Sequence, residues 1–194
     1  MLKFKSETAD NTEISEITLG QRITSEKLSY LFLIFMVVCF VGWIYEEIFY
    51  LFTEGMLRNR GLLYGPWLPI YGIGALGIYA LKPLKRNPIL LFTLCIAVSG
   101  VVEYIIGFAG IHLFGLRLWD YRGLFLNISG IICFRSVISF GVMGLAFHYV
   151  LGPMGERLYA KTPAVIIKTF CFMLVVLLFI DCIMSFLFRT PITY

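Results

Sequence analysis

The sequence predicts an all-α fold, a polytopic transmembrane helical bundle with about five spans. First, 59% of its 194 residues are hydrophobic and only 14% are charged, whereas soluble domains carry about 45–50% apolar and about 25% charged residues. Second, the mean hydropathy is +0.86. Third, five apolar stretches approach the length of about 20 residues that a helix needs to cross a bilayer. This balance excludes soluble enzymes, disordered regulators and nucleic-acid-binding proteins, and the net charge of +4 reflects loop lysines and arginines.

The five predicted spans are residues 28–53, 66–81, 88–111, 124–151 and 164–188. The second span is short, starts with Pro66 and Pro69 and contains Gly72, Gly74 and Gly77. Proline and glycine interrupt helices, so we expect this span to be broken or partly re-entrant. If it does not cross, every later span reverses its direction.

The residues outside the spans predict three parts and an orientation. Residues 1–27 are polar and lack the charge pattern and cleavage site of a signal peptide. We therefore predict a polar N-terminal tail at 1–27, a transmembrane domain at 28–188 and a short C-terminal tail at 189–194.

The basic residues of the loops predict the orientation. With five crossings, eight of them lie on the side of the N-terminus: Arg22, Lys27, Lys82, Lys85, Arg86, Arg157, Lys161 and Lys168. Five lie on the other side: Arg58, Arg60, Arg117, Arg122 and Arg189. Basic loops resist translocation, so this count predicts a cytoplasmic N-terminus.

No cofactor or metal site is predicted. The five cysteines lie inside apolar runs without CxxC spacing, which is typical of small buried hydrophobic side chains: Cys39, Cys95, Cys133, Cys171 and Cys182. His112 and His148 fall near opposite ends of their spans, so a shared metal site is not expected. The sequence contains no GxxxxGK[ST], GxSxG or HExxH motif, so ATP binding by a P-loop and the standard hydrolase sites are excluded.

Ionisable residues inside the predicted spans are the strongest functional signal. They are Glu46, Glu47, Glu103, Arg135 and Asp181, and each costs at least about 2.5–3.5 kcal/mol to insert. Four acids cannot all be neutralised by one base, so some are protonated, line a wet cavity or hold a cation. We expect Glu46 and Glu103 to converge on a hydrated pocket in the outer half of the bundle, with Arg135 able to meet Glu46, Glu103 or Asp181. A buried pair that only fixes helix register is the alternative.

Two loops on the outer side combine turn residues with aromatic residues. Residues 58–71, RNRGLLYGPWLPIY, hold glycines and prolines beside aromatic side chains suited to the headgroup region. The segment Trp119-Asp120-Tyr121 follows the third span, and Asp120 is suited to an Asx-turn or a helix cap. We interpret both segments as ordered loops at the mouth of the pocket, against the alternative of an aromatic belt with turns.

These segments together resemble a bacterial family, the ABC transporter type IV permeases. The matching segments are GWIYE at 42–46, NRGLLYGPWLPIYG at 59–72, Glu103-Tyr104, WDY at 119–121 and Asn127, over roughly residues 31–153. The resemblance implies a multi-span, permease-like protein in the bacterial plasma membrane, whose ATPase is a separate polypeptide.

Two positions depart from the family pattern. Ile111-His112 stands where the family carries an acid before the Phe-Gly that precedes WDY, and Ile131 stands where it carries an arginine. A basic residue occurs instead at Arg135, so the family's charge pair is rewired or lost here.

The predicted function is an integral membrane transport component with an outward-facing polar pocket. The predicted substrate-binding residues are Glu46, Asn59, Arg60, Tyr64, Trp67, Glu103, Trp119, Asp120, Asn127 and Arg135. The predicted partners are membrane lipid, a small-molecule solute, a separate ATPase subunit and a second copy in a homodimer, with no nucleic acid. The alternatives are a membrane-embedded enzyme acting on a lipid or lipid-linked substrate, with Glu46, Glu103 or Asp120 as acid or base, and a structural or regulatory subunit.

Overall fold

The computed structural model describes residues 2–57 and 61–189, with side chains from Thr24 onward except that of Glu54. Within these ranges the regular structure is helical, apart from one isolated bridge between Ile128 and Ile132. Four helical segments are long and apolar enough to cross a membrane: Thr24–Thr53, Pro88–Phe114, Phe134–Lys161 and Ala164–Phe188. The prediction of an all-α transmembrane bundle is confirmed.

The first helix, α1 (Leu2–Glu54), is continuous through the predicted N-terminal tail. Residue 27 is therefore not a helix boundary, and the span Thr24–Thr53 forms the second half of α1. We call the end of the bundle near Thr24 the proximal end and the end near Glu54 the distal end.

The second crossing is made by a short helix, α2 (Pro69–Ala80), preceded by a non-helical segment. Twelve helical residues rise only about 18 Å, against a hydrocarbon core of about 30 Å. The Leu68 amide donates to the Cys39 carbonyl at 3.1 Å, and the Tyr79 ring lies 5.9 Å from that of Tyr30. The chain therefore turns back from the distal end to the middle of α1 before α2 begins, and α2 completes the return to the proximal end.

The third helix, α3 (Pro88–Phe114), begins at a capped N-terminus and ends at a left-handed glycine. The Asn87 side chain accepts from the Leu90 amide at 3.1 Å, and Gly115 takes φ +65°, a conformation that costs glycine little. A 3-10 turn at Lys82–Leu84 joins α2 to α3.

The fourth span begins later than predicted. Residues 115–133 are non-helical, and α4 (Phe134–Ala146) begins after Cys133, whose side chain caps it. The predicted start at 124 is wrong because the 124–133 segment, although apolar, contains Leu126, Ser129 and Gly130 at φ 50°, 56° and 67°, which a right-handed helix cannot include. Past α4 the chain continues through a π-helical turn, Phe147–Leu151, into α5 (Gly152–Lys161).

The last helix, α6 (Ala164–Phe188), returns the chain to the distal end. At the proximal end Lys82 pairs with Glu156, and the Tyr159 hydroxyl donates to the Glu26 carbonyl at 2.8 Å. At the distal end Asp181 accepts from the Tyr64 amide at 3.0 Å. The helices thus alternate in direction.

Close helix contacts depend on glycine and cysteine. A Cβ on Gly42 would lie 2.3 Å from the Tyr71 ring, and one on Gly72 would lie 2.5 Å from the Cys39 sulfur. Small residues allow this approach of neighbouring helices in a membrane. Cys39, Cys95 and Cys133 are buried as predicted, but Cys182 is exposed on the outside of α6, because its position on the helix faces away from the bundle.

Candidate functional site

Glu103 on α3 lies at the centre of the polar groups inside the bundle. The residue is 3% exposed. The Tyr121 hydroxyl donates to its carboxylate at 3.0 Å, and the Ser136 hydroxyl lies 2.9 Å from its other oxygen. Hydrogen bonds of this kind offset the cost of burying a carboxylate.

Glu46 on α1 is held in the same way from the neighbouring element. The Tyr71 hydroxyl donates to its carboxylate at 2.7 Å. Tyr71 and Glu103 line the same cavity. The two hydrogen-bonded glutamates therefore belong to one end of it, and we call Glu46, Tyr71, Glu103, Tyr121 and Ser136 the two-glutamate cluster.

The local fold explains why these groups meet. Both α2 and α4 begin inside the bundle because a non-helical segment has already carried the chain inward from the distal end. Tyr71 is the third residue of α2, and Ser136 is the third residue of α4. The first turn of each helix thus carries a hydroxyl to the level of a glutamate on the preceding long helix.

A cavity of about 570 Å³ runs from this cluster towards the proximal end. Its wall is formed by α1, α2, α3, α4, α5 and α6 and is mostly aliphatic and aromatic. Tyr45, Tyr71 and Glu103 line its distal part, and Tyr30, Tyr159 and Thr162 line its proximal part. The sequence led us to expect a polar pocket, whereas this cavity is an apolar chamber with a polar distal end.

Arg135 does not neutralise an acid in the part of the chain that the structure describes. Its guanidinium lies 5.4 Å from the centre of the Phe49 ring, and Arg135 itself is exposed. Its neighbour Ser136 bonds to Glu103 instead. The expected contact of Arg135 with an acid is therefore absent, because one residue along a helix turns the side chain by about 100°.

The 61–68 segment is held by α6. Asp181 accepts from the amides of Tyr64 and Gly65, each at 3.0 Å, and from the Trp67 indole at 2.7 Å. Non-helical backbone at membrane depth needs such partners, since lipid supplies none. The sequence marked Asp181 as ionisable inside a span but did not indicate this role, because the partners are more than a hundred residues away.

The 115–133 segment is held by its own side chains. Asp120 accepts from the Arg122 amide at 2.9 Å, which is the predicted Asx-turn, and pairs with the guanidinium of Arg122. The Trp119 indole donates to the Ile131 carbonyl at 2.7 Å. Asn127 donates from its side-chain amide to the Leu124 carbonyl at 2.9 Å, so these polar groups stabilise the loop.

The remaining predicted residues divide into two groups. Asn59 and Arg60 lie outside the described residues. Glu47 is 8% exposed and is therefore buried, whereas its neighbour Glu46 is only partly buried. Within the described ranges no group of three or more His, Cys, Asp and Glu side chains is placed to hold a metal ion.

Sequence reasoning missed the hydroxyl partners of the two glutamates. Tyr71 and Tyr121 lie inside the two segments that the sequence singled out, at 58–71 and 119–121, so a search for hydroxyl groups near intramembrane acids would have found them. Ser136 carried no such signal, because its role depends on where α4 begins.

Comparison with known proteins identifies one family. Residues 33–186 match the model of the family described as "Putative ABC-transporter type IV". Neither a curated protein nor a solved structure matches the chain. The match covers α2, α3, α4 and α5, most of the α1 span and nearly all of α6, and with it the whole two-glutamate cluster.

Proposed function

The chain belongs to this ABC-transporter type IV family, and from that membership we propose a specific role for the two-glutamate cluster. The coarse function, a component of membrane transport built as a multi-pass membrane protein, follows from the family and the four long apolar helices. We propose that the transported solute binds at the two-glutamate cluster. In this proposal a separate ATPase polypeptide supplies the energy, because the chain has no P-loop.

The observation that carries the proposal is that Glu103 and Tyr71, the hydrogen-bond donor to Glu46, line the same end of a large cavity. Each acid costs at least about 2.5–3.5 kcal/mol to place in a membrane. One buried acid paired with a base would be enough to fix helix register, but here two acids on different helices are each bonded to hydroxyl groups at this end of the cavity. Like charges placed together favour binding of a positive charge or of proton donors.

The short helices support the same role. Transporters place substrate where interrupted helices begin within the membrane. Here α2 begins at the level of Cys39, and α4 begins beside Glu103. Both helix N-termini approach the two-glutamate cluster.

The loops are proposed as the mouth of the site. Tyr64, Trp67, Trp119 and Asp120 use polar groups to hold the segments 61–68 and 115–133 in place. Their proposed contribution is the shape of the entrance, as is that of Asn127. Asn59, Arg60 and Arg135 are proposed to contribute to the distal entrance, outside the two-glutamate cluster.

The proposed orientation puts the N-terminus and the proximal end in the cytoplasm of a bacterial cell. Lys82, Lys85 and Arg157 occur at this end, beside Glu156, and the ATPase would dock there. A single chain offers few spans for a complete pathway, so we propose that two copies assemble.

A charge-neutral substitution tests the function. Glu103→Gln keeps the size of the side chain but removes the charge and replaces one acceptor oxygen by an amide donor, which a hydroxyl group can accept from. We therefore expect normal amounts of folded protein in the membrane and loss of solute uptake in cells that express the ATPase. Cys182→Ser, at an exposed position on α6 away from the cluster and from the proximal end, is the control and should leave uptake unchanged.

Two other results would replace the proposal. A large fall in folded protein for Glu103→Gln, with uptake per folded molecule unchanged, would assign the cluster a structural role. Turnover of a lipid substrate by the purified chain without any ATPase would make it an enzyme.

A further inference from the structure

We propose that the substrate is an amphiphile with one long hydrocarbon chain and a positively charged head group. The chain would lie in the apolar cavity, and the head group would sit against Glu46 and Glu103. This inference rests on the proposed function, because it names the substrate class of the same site.

The length of the cavity fits a long chain. On α1 its lining runs from Tyr30 to Tyr45 along one face of the helix. Fifteen helical residues rise about 22 Å, which exceeds the depth of about 15 Å that one leaflet of a 30 Å core offers. The volume of about 570 Å³ lies within the range of roughly 300–1,000 Å³ that is typical of pockets for small molecules.

The two ends of the cavity differ in a way that orients such a molecule. At the proximal end, the rings of Tyr30 and Tyr159 lie 5.0 Å apart, and Tyr79 packs against Tyr30 at 5.9 Å. Tyr30 and Tyr159 line this end of the chamber. At the distal end, the lining residues Tyr71 and Glu103 belong to the two-glutamate cluster, so only this end offers charge to a head group.

The sign of the charge selects the head group. Among the residues that the structure describes, the cavity lining contains no lysine, arginine or histidine, and its one carboxyl group is that of Glu103. Glu46 lies behind the lining residue Tyr71, whose hydroxyl donates to its carboxylate at 2.7 Å. Phosphate, sulfate and carboxylate head groups would be repelled, whereas an ammonium group would be attracted.

The inner surface offers a position at which the cavity can be filled without disturbing the fold. Gly74 lines the chamber, and a Cβ built on it has no atom within 4 Å. A larger side chain at this position therefore enters the space proposed for the hydrocarbon chain. Val101 on α3 does not line the cavity and is 58% exposed, so added bulk there points to the bilayer.

The test measures binding of two probes to the full chain in nanodiscs of zwitterionic lipid, without the ATPase. The probes are a fluorescent long-chain alkylammonium and the alkyl sulfate of equal chain length. We expect the ammonium to bind at least about tenfold more tightly than the sulfate. Gly74→Phe should weaken ammonium binding by about tenfold or more, and Val101→Phe should not change it. Glu103→Gln should reduce the preference for ammonium.

Several outcomes would overturn the inference. Equal affinity for both probes would remove the selection by charge, and unchanged binding by Gly74→Phe would place the chain elsewhere. If the wild type binds neither probe and Gly74→Phe changes the oligomeric mass of the protein, a second copy of the chain fills the chamber. If the protein binds the ammonium probe but transports no solute, only the proposed function is contradicted. If uptake of a small polar solute depends on Glu103 and neither probe binds, only the substrate class is contradicted.

Discussion

Ser136 and Glu103 repeat a relationship that Tyr71 and Glu46 also show. Ser136, the third residue of α4, lies 2.9 Å from the Glu103 carboxylate, and Tyr71, the third residue of α2, donates to Glu46 at 2.7 Å. In both halves of the chain, a long helix supplies an acid and the following helix supplies a hydroxyl from its first turn. The N-terminus of a helix favours negative charge nearby, so each acid is stabilised by both the hydroxyl and the helix.

Removing the Ser136 hydroxyl should destabilise the bundle. Ser136→Ala leaves Glu103 with Tyr121 as its partner and also removes the bond of this hydroxyl to the Cys133 amide. Hydrogen bonds to charged groups contribute about 1.5–3 kcal/mol, so we expect a fall of that size in the free energy of unfolding. Thermal unfolding of the purified protein in detergent measures it. Ser139→Ala, one turn further along α4, is the control, and equal melting temperatures for the two variants would contradict the role of Ser136.

Loss of the Asp181 charge should release the 61–68 segment. Asn at this position offers one acceptor oxygen, whereas Asp181 accepts from two backbone amides and the Trp67 indole. Depending on how the Asn amide is turned, the Tyr64 amide keeps only the Ser185 hydroxyl, at 2.9 Å, or the Gly65 amide and the Trp67 indole lose their acceptor. A lost acceptor costs about 1–3 kcal/mol per donor. We expect Asp181→Asn to speed hydrogen exchange at residues 61–68 while exchange at 115–133 stays as in the wild type.

The control for this experiment is the adjacent, exposed Cys182. Cys182→Ser changes a side chain that faces away from the bundle and should leave exchange at 61–68 unchanged. Faster exchange in both loops of Asp181→Asn would mean that the variant loosens the whole bundle.

Composition and hydropathy were sufficient to predict the helical class and the short second span, because these depend on local sequence. The start of the fourth span was not predictable in the same way. The 124–133 segment is apolar enough to resemble a span, but left-handed residues at Leu126 and Ser129 turn the chain there. Hydropathy does not record backbone dihedral angles.

The candidate site was only partly accessible to sequence reasoning. The cost of charge in lipid identified Glu46 and Glu103 correctly as residues inside spans. Their partners Tyr71, Tyr121 and Ser136 depend on how deeply two loops re-enter the bundle, and Asp181 depends on a contact with a distant segment. Such pairings are set by tertiary packing, which a single sequence does not contain.

The loop at Asp120 should resist acid. The guanidinium and amide of Arg122, assisted by Arg117 at 3.8 Å, hold the pKa of Asp120 below its ordinary value of 3.8. The pKa of Asp120 is 3.8 in the unfolded chain and lower in the folded protein. The Asp120–Arg122 pair therefore stabilises the fold fully above pH 3.8, and this stabilisation is lost as the pH falls through the pKa of the folded state. We expect nuclear magnetic resonance titration of the labelled carboxyl group to show no change between about pH 5 and 8.

The matched variant for this titration is Asp120→Asn. It keeps an oxygen for the Arg122 amide but removes the charge, so the structure of the 115–133 segment should no longer depend on pH. A measured pKa of 3.8 or higher for Asp120 in the wild type would show that Arg122 and Arg117 do not stabilise its ionised form.

Two glycines of α2, two residues apart, should respond oppositely to the same substitution. A Cβ on Gly72 would lie 2.5 Å from the sulfur of Cys39 and 2.5 Å from the ring of Phe35, whereas one on Gly74 meets no atom within 4 Å. Gly72→Ala must push α2 away from α1, and overpacking of this kind costs about 1–3 kcal/mol. Gly74→Ala adds a better helix former without a clash and should stabilise the protein by up to about 1 kcal/mol. Melting temperatures in one detergent compare the pair, and a Gly72→Ala protein as stable as Gly74→Ala would mean that α2 does not pack on α1 at this separation.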